Sequence, residues 1–144
     1  MKLIDTNLLV YAYLPELGQH PAARRWLEQA LGQDEAIGLS WHSVLGFVRI
    51  TTSARIFEVP LPLEKAVAIV DGWLQQPGVE LVLPTPRHWT TLREMLVSGQ
   101  ARGPLVSDAH VATLAREHGA VIYSTDRDFV RFPGVRVVNP LTTV

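Results

Sequence analysis

Cysteine is absent from this chain of 144 residues, which excludes a disulfide scaffold, a thiolate-bound zinc site and a thiol nucleophile. A field of one sign is absent too. Thirteen basic residues stand against fourteen acidic ones, for a net charge of -1, so a polyanionic partner would have to be met by a local patch. No apolar run is long enough to span a bilayer, and Asp5 puts an acid too early for a signal peptide. A cytoplasmic protein with no membrane role is therefore expected. There is no glycine-rich turn after the first apolar segment, which removes a dinucleotide-binding reading. Nor is there a repeat, a low-complexity tract or a linker. What is present is an ordinary globular balance, 47% hydrophobic and 19% charged, which excludes a disordered chain. One domain over residues 1–144 is expected, with a radius of gyration of roughly 15 Å.

Short apolar bursts alternate with helical stripes. Leu3 and Ile4 read as a buried strand ending at Asp5, and Leu8 to Leu14 as a helix stopped by Pro15 and Gly18. His20-Pro21 opens a second helix along Ala23, Trp26, Leu27 and Ala30, with Gly32 as its stop. Ala36–Leu39 is a second strand, followed by a largely buried helix from Trp41 to Ile50. A helix through Ala66 and Trp73 leads to a third strand, Val79–Leu83, and then to a helix from Trp89 to Val97. After Gly103-Pro104 a helix runs to Gly119, then Ala120–Tyr123 and Val135–Val138 read as strands. Uniformly apolar strands alternating with helices predict an α/β fold of three layers, with a parallel sheet covered on both faces.

In such a sheet, ligands bind beyond the carboxyl ends of the strands. Asp5 and Asp126 fall at two such ends, Asp128 follows two residues later, and Asp108 lies in the first turn of the helix before the fourth strand. Each has a plain alternative: Asp5 as a turn or N-cap residue, Asp108 as a macrodipole partner, Asp126 and Asp128 as a solvated turn. Their coincidence on one rim points elsewhere. Two carboxylates about 4 Å apart repel by roughly 4 kcal/mol at an effective dielectric near 20, so a cluster needs raised pKa values or a cation. All-oxygen donors favour Mg²⁺ or Mn²⁺ over zinc. Such an ion activates water and braces displacement at phosphorus, which suggests phosphodiester hydrolysis.

Asn7 and Thr6 can hold Asp5, touch a phosphate or cap the next helix, and Ser124 and Thr125 can orient Asp126 or serve the turn. His110 points away from Asp108 and reads as a partner-bonded structural histidine. The tryptophans, at helical spacing, read as core or interface. Eleven arginines accompany two lysines, a bias that suits phosphate and that a GC-rich genome also produces. Arg49, Arg55 and Arg102 are the candidate RNA-facing residues.

Asp5-Thr6-Asn7, Ser107-Asp108-Ala109-His110 and Ser124-Thr125-Asp126-Arg127-Asp128-Phe129 together resemble the acidic motifs of PIN-domain ribonucleases, and most closely the VapC-type toxins of bacterial toxin–antitoxin pairs. The endings Arg131-Phe132-Pro133-Gly134 and Val138-Asn139-Pro140-Leu141 are similar to that branch's as well. The resemblance implies a PIN-like α/β/α fold, Mg²⁺ or Mn²⁺ at the acidic rim, cleavage of structured RNA such as tRNA or rRNA, a neutralising antitoxin and a homodimer. It matches Asp5, Asp108 and Asp126 to metal ligands, with Asp128 in an assisting place. One departure stands out. Gly46, in Leu45-Gly46-Phe47-Val48-Arg49, occupies the position where the family usually has glutamate. This puts full metal occupancy or a second metal in question. Water, His42 or Asp128 are candidates for filling the gap.

A catalytically silent PIN module that binds RNA or a protein partner is the alternative that Gly46 raises. An acyl-phosphate chemistry at Asp5 is disfavoured. A dehalogenase-type phosphatase wants a second acid where Asn7 stands, and a receiver domain wants paired acids near the first strand and a lysine after the last.

Overall fold

The computed structural model describes residues 1–142. Its strands are β1 (Lys2–Ile4), β2 (Ile37–Leu39), β3 (Val79–Leu81), β4 (Val121–Tyr123) and β5 (Val137–Val138), paired in parallel in the order β3-β2-β1-β4-β5. The helices are α1 (Thr6–Tyr11), α2 (His20–Leu31), α3 (Trp41–Thr51), α4 (Leu63–Gln75), α5 (His88–Ser98) and α6 (Leu105–His118), with a 3₁₀ turn over Arg127–Arg131.

The strands are short because each is a buried slat between two helical layers. Leu3 and Ile4, both fully buried, point to opposite faces, as strand periodicity requires. Ile4 joins Leu8, Leu27, Phe47 and Trp73 on the face covered by α1 to α4. Leu3 joins Met95, Ala112, Ile122 and Phe129 on the face covered by α5, α6 and the 3₁₀ turn. The first core is held by aromatic packing: the Phe47 and Trp73 rings lie 4.6 Å apart, and the Trp73 indole donates to the Tyr13 hydroxyl. The expected architecture, a three-layer α/β/α PIN-like arrangement around a parallel sheet, is what forms.

Local signals account for most boundaries. Pro21 sits in the first turn of α2, Ser40 caps α3 by accepting from the Ser43 N–H, and α6 ends on Gly119 at φ 63, where glycine relieves the left-handed strain. The first helix differs from expectation. It starts immediately after Asp5 and ends by Ala12, and buried Leu14 packs from the loop beyond it. The third strand stops at Leu81, and Leu83 is exposed. Val135 lies outside β5. Among the tryptophans Trp73 is core, Trp26 stacks on Tyr123, and Trp41 and Trp89 stand on the surface, apolar yet outside either core.

Strand order reverses direction at β1, with β2 on one side and β4 on the other. The chain therefore leaves β1 and β4 into diverging connections and opens a crevice at their carboxyl ends. Ile4 pairs with Tyr123, and the Asp5 N–H donates to the Tyr123 carbonyl, so Asp5 is set beside the end of β4.

Candidate active site

The acids converge. Oxygens of Asp108, Asp126 and Asp128 all lie within 4.8 Å of one another, bringing the first turn of α6 against the turn after β4. Asp5 stands one hydroxyl behind them. The buried Ser124 Oγ donates to Asp5 Oδ2 over 2.7 Å and accepts from the Asp126 N–H over 2.9 Å, which locks the ends of β1 and β4 together. The sequence predicts Asp5, Asp108 and Asp126 as ligands with Asp128 assisting; the group whose oxygens lie within 4.8 Å of one another is Asp108, Asp126 and Asp128.

The plain alternatives can now be judged by what each carboxylate touches. Asp5 occupies the N-cap position of α1 but makes no capping hydrogen bond, so its oxygens are directed to Ser124 and the crevice. Asp126 does serve its turn, since Oδ1 accepts the Asp128 N–H over 2.8 Å. That bond occupies one oxygen and leaves the other available.

Electrostatics separates this group from a solvated surface. Burial, followed by the charges of Asp126, Asp5 and Asp128, lifts the Asp108 carboxyl from 3.8 to about 6, with Arg131 offsetting only part. Burial also raises Asp5, against the Ser124 and Thr6 hydrogen bonds that favour its charged form. Arg131 was not singled out from sequence. It reaches Asp128 at 3.9 Å while donating to the Gly99 carbonyl. Its place three residues after Asp128 was the available signal. One arginine against four acids leaves the rim short of positive charge.

The other residues divide. Asn7 donates to the Thr125 hydroxyl over 3.2 Å, tying α1 to the β4 turn at the edge of the crevice. Arg49 is exposed and lines an open hollow of about 480 Å³ with His42, Leu45, Gly46 and Val48. Arg55 and Arg102 are exposed, and neither makes a side-chain hydrogen bond among the described residues. Gly46 is buried where α3 crosses α1, and a Cβ there would come within 2.9 Å of the Thr6 methyl. This glycine therefore sets how closely the two helices approach.

Away from the acids, His110 is bonded to a partner, as its spacing suggested. Its Nδ1 lies 2.9 Å from His88 Nε2, and His88 Nδ1 lies 2.5 Å from Glu117 Oε1. Glu117 also accepts from the Thr85 N–H and hydroxyl. Burial raises its pKa, but the hydrogen bonds from Thr85 and His88 outweigh that and hold it below the ordinary carboxylate range. Sequence reasoning missed this network because its members are spread over α5, α6 and the loop before them.

The fold's crevice, with its carboxylates at the ends of β1 and β4 and the start of α6, is matched by a family model: residues 2–135 fit the PIN domain. The chain belongs to the PIN-domain family. This PIN domain is 44% identical over 140 residues to Ribonuclease VapC37 of Mycobacterium tuberculosis, covering 97% of each chain. It is 37% identical over 141 residues to Ribonuclease VapC33 of the same organism, covering 98% of this chain and 99% of that one. In fold it is similar to VapC20 of M. tuberculosis, titled a sarcin-ricin loop cleaving toxin, with a TM-score of 0.66 at 19% identity over 94% of this chain and 99% of that one. It is likewise similar to a chain of VapBC2 from Rickettsia felis bound to a promoter DNA fragment, with a TM-score of 0.68 at 18% identity over 96% and 97% of the two chains.

The donor set fits a hard divalent cation. It is all oxygen, several acids share one crevice, and burial together with its acidic neighbours pushes the Asp108 carboxyl up to about 6.

Proposed function

We propose that this PIN domain is a Mg²⁺- or Mn²⁺-dependent endoribonuclease that cleaves structured RNA, tRNA or rRNA, as the toxin of a toxin–antitoxin pair. The observation that carries the reading is the crowding of Asp108, Asp126 and Asp128 within 4.8 Å, with Asp108 driven to about 6. Like charges held this close have a use when a cation is to be bound between them. The relatives named ribonucleases support the activity. A solved structure of similar fold, titled a toxin–antitoxin complex from Klebsiella pneumoniae, supports an antitoxin partner.

Asp5, Asp108 and Asp126 would hold the ion, and Asp128 would assist. When bound, such an ion lowers the pKa of a coordinated water and offsets charge developing at phosphorus. The chain's own residues prepare the place. Ser124 fixes Asp5 relative to Asp126, and Arg131 restrains Asp128. Asn7, oriented by Thr125, lies where it can meet a phosphate beside the acids. Arg49, Arg55 and Arg102 offer planar guanidinium forks to the RNA backbone. The exposed Trp41 and Leu45, one turn apart on α3, supply apolar area for protein partners, the antitoxin and a second copy in a homodimer. The molecule acts in the cytoplasm, where its RNA is. No helix among the described residues is long and apolar enough to cross a membrane.

Gly46 favours a second reading, a silent module that binds RNA or protein, because it removes a carboxylate. Sequencing the fragments from total RNA treated with the purified chain, with Mg²⁺ or Mn²⁺ and with chelator, separates the two. The nuclease reading expects discrete cuts that need the cation and vanish in Asp108→Asn. Cleavage retained in chelator by Asp5→Ala contradicts it, and RNA binding without cleavage in any divalent ion favours the silent module.

A further inference from the structure

Beyond the carboxyl ends of β4 and β5 lies a hollow of about 190 Å³ that shares Asp126 with the acidic crevice. Val137 of β5 and the exposed Val130 of the 3₁₀ turn give it apolar walls, and Thr125, Arg127 and Asn139 give it polar ones. Its room falls below the roughly 300 Å³ at which sites for drug-sized ligands begin, which suits it to a single ring system. The larger hollow beside Arg49 touches none of the four acids. The hydrogen-bonding groups on the walls of the smaller one are uneven. Thr125 Oγ1 accepts from Asn7, Asn139 Oδ1 accepts the Leu141 N–H over 2.9 Å, and Asp126 Oδ1 accepts the Asp128 N–H, its other oxygen being left to the cation. Donors stay free. With Oδ1 of Asn139 engaged, its NH₂ group is left to donate. The Arg127 guanidinium is exposed and makes no ion pair or side-chain hydrogen bond among the described residues.

We propose that this hollow seats the base of the nucleotide next to the scissile phosphate, and that Arg127 and Asn139 select guanine there. The inference rests on the nuclease reading above: a phosphate held at the acids puts a neighbouring base against Asp126. RNA is read through unstacked bases that present their edges to side chains. Guanine sets two acceptors, O6 and N7, side by side on one edge, the pair that an arginine fork spans. Adenine and cytosine turn an amino group onto that edge, where free donors cannot accept it, and uracil offers a single acceptor there. Val130 and Val137 supply the apolar contact for the ring.

The experiment gives the full chain hairpin RNAs with randomised loop and stem, in Mn²⁺ or Mg²⁺, and sequences the cut ends. Wild type is expected to enrich guanine about tenfold at a fixed position adjoining the cut, the scale of one bidentate base contact. Arg127→Ala, a substitution at an exposed site, is expected to melt like wild type and to flatten that preference to less than about twofold. Two synthetic substrates then fix the edge that is read. Inosine keeps O6 and N7 and should be cut like guanine, whereas 7-deazaguanine lacks N7 and should be cut about three- to tenfold more slowly, the range of a single hydrogen bond. Cutting with no base preference beside the cut, or with another base favoured there, overturns the inference and leaves the nuclease standing. So does a guanine preference that survives Arg127→Ala or ignores the loss of N7. No cation-dependent cutting by wild type overturns the nuclease reading itself, and this inference with it.

Discussion

Helix α6 carries two polar clusters that use the same chemistry in opposite ways. Near its start, Asp108 faces Asp126, Asp128 and Asp5, and Arg131 is too little to balance them. Near its end, Glu117 is saturated by His88 and by the N–H and hydroxyl of Thr85, with His110 continuing the chain. The closed cluster holds its carboxyl below the ordinary range, and the open one holds its carboxyl above it. A carboxylate whose partners are all internal fastens α6 to α5. A carboxylate whose neighbours repel it is waiting for something from outside. The difference separates scaffold from site more clearly than the residue types do.

The sharpest way to break the contrast is to neutralise one acid in each cluster. Asp108→Asn is expected to lower RNA cleavage by about 100-fold or more while raising the melting temperature in chelator by roughly 2–4 °C, since it relieves repulsion. Loss of activity together with loss of stability would place Asp108 with the scaffold instead. Saturating wild type with Mg²⁺ is next: at a hundred times its dissociation constant the ion should stabilise the fold by about 2.7 kcal/mol, read as a concentration-dependent melting temperature. Asp108→Asn should blunt that gain, and Glu117→Ala should not. Glu117→Ala itself is expected to cost about 2 kcal/mol of stability in denaturant titration, because it strands His88 and Thr85, and to leave Mn²⁺ affinity unchanged.

The smallest effect is in pH dependence, where the two clusters have opposite signs. Asp108 binds its proton more tightly folded than unfolded, so its contribution falls as pH rises from about 4 to about 6. Glu117, held below its ordinary 4.5, contributes above that value and loses its contribution as pH falls through its lower folded pKa. In chelator, the stability difference between wild type and Asp108→Asn should therefore narrow between pH 7 and pH 4. A difference independent of pH would mean that Asp108 is not crowded.

Much of this was legible in the residues because it depends on local pattern. Leu3-Ile4 running into Asp5, and Val121-Ile122-Tyr123 running into Ser124, announce buried strands with polar exits, and a parallel sheet then puts those exits on one rim. The role of Ser124 was within reach only as one option among turn chemistries. Its hydroxyl bridges residues 5 and 126, a contact that depends on strand pairing. Helix α1 is shorter than its apolar run suggests because Leu14 is apolar through loop burial, which periodicity cannot tell from a helical face. The close approach of Gly46 to Thr6 and the Glu117–His88–His110 chain were illegible for a related reason. Both arise where helices cross, and the crossing is set by packing that no single segment encodes.

Asp108 is crowded by charges that a divalent cation would relieve. Carbon-detected NMR of the Asp108 carboxyl, titrated in chelator and again in saturating Mg²⁺, tests this directly. It should titrate near pH 6 without the ion and move well down once the ion is added. A midpoint in the ordinary aspartate range that Mg²⁺ leaves in place would contradict it.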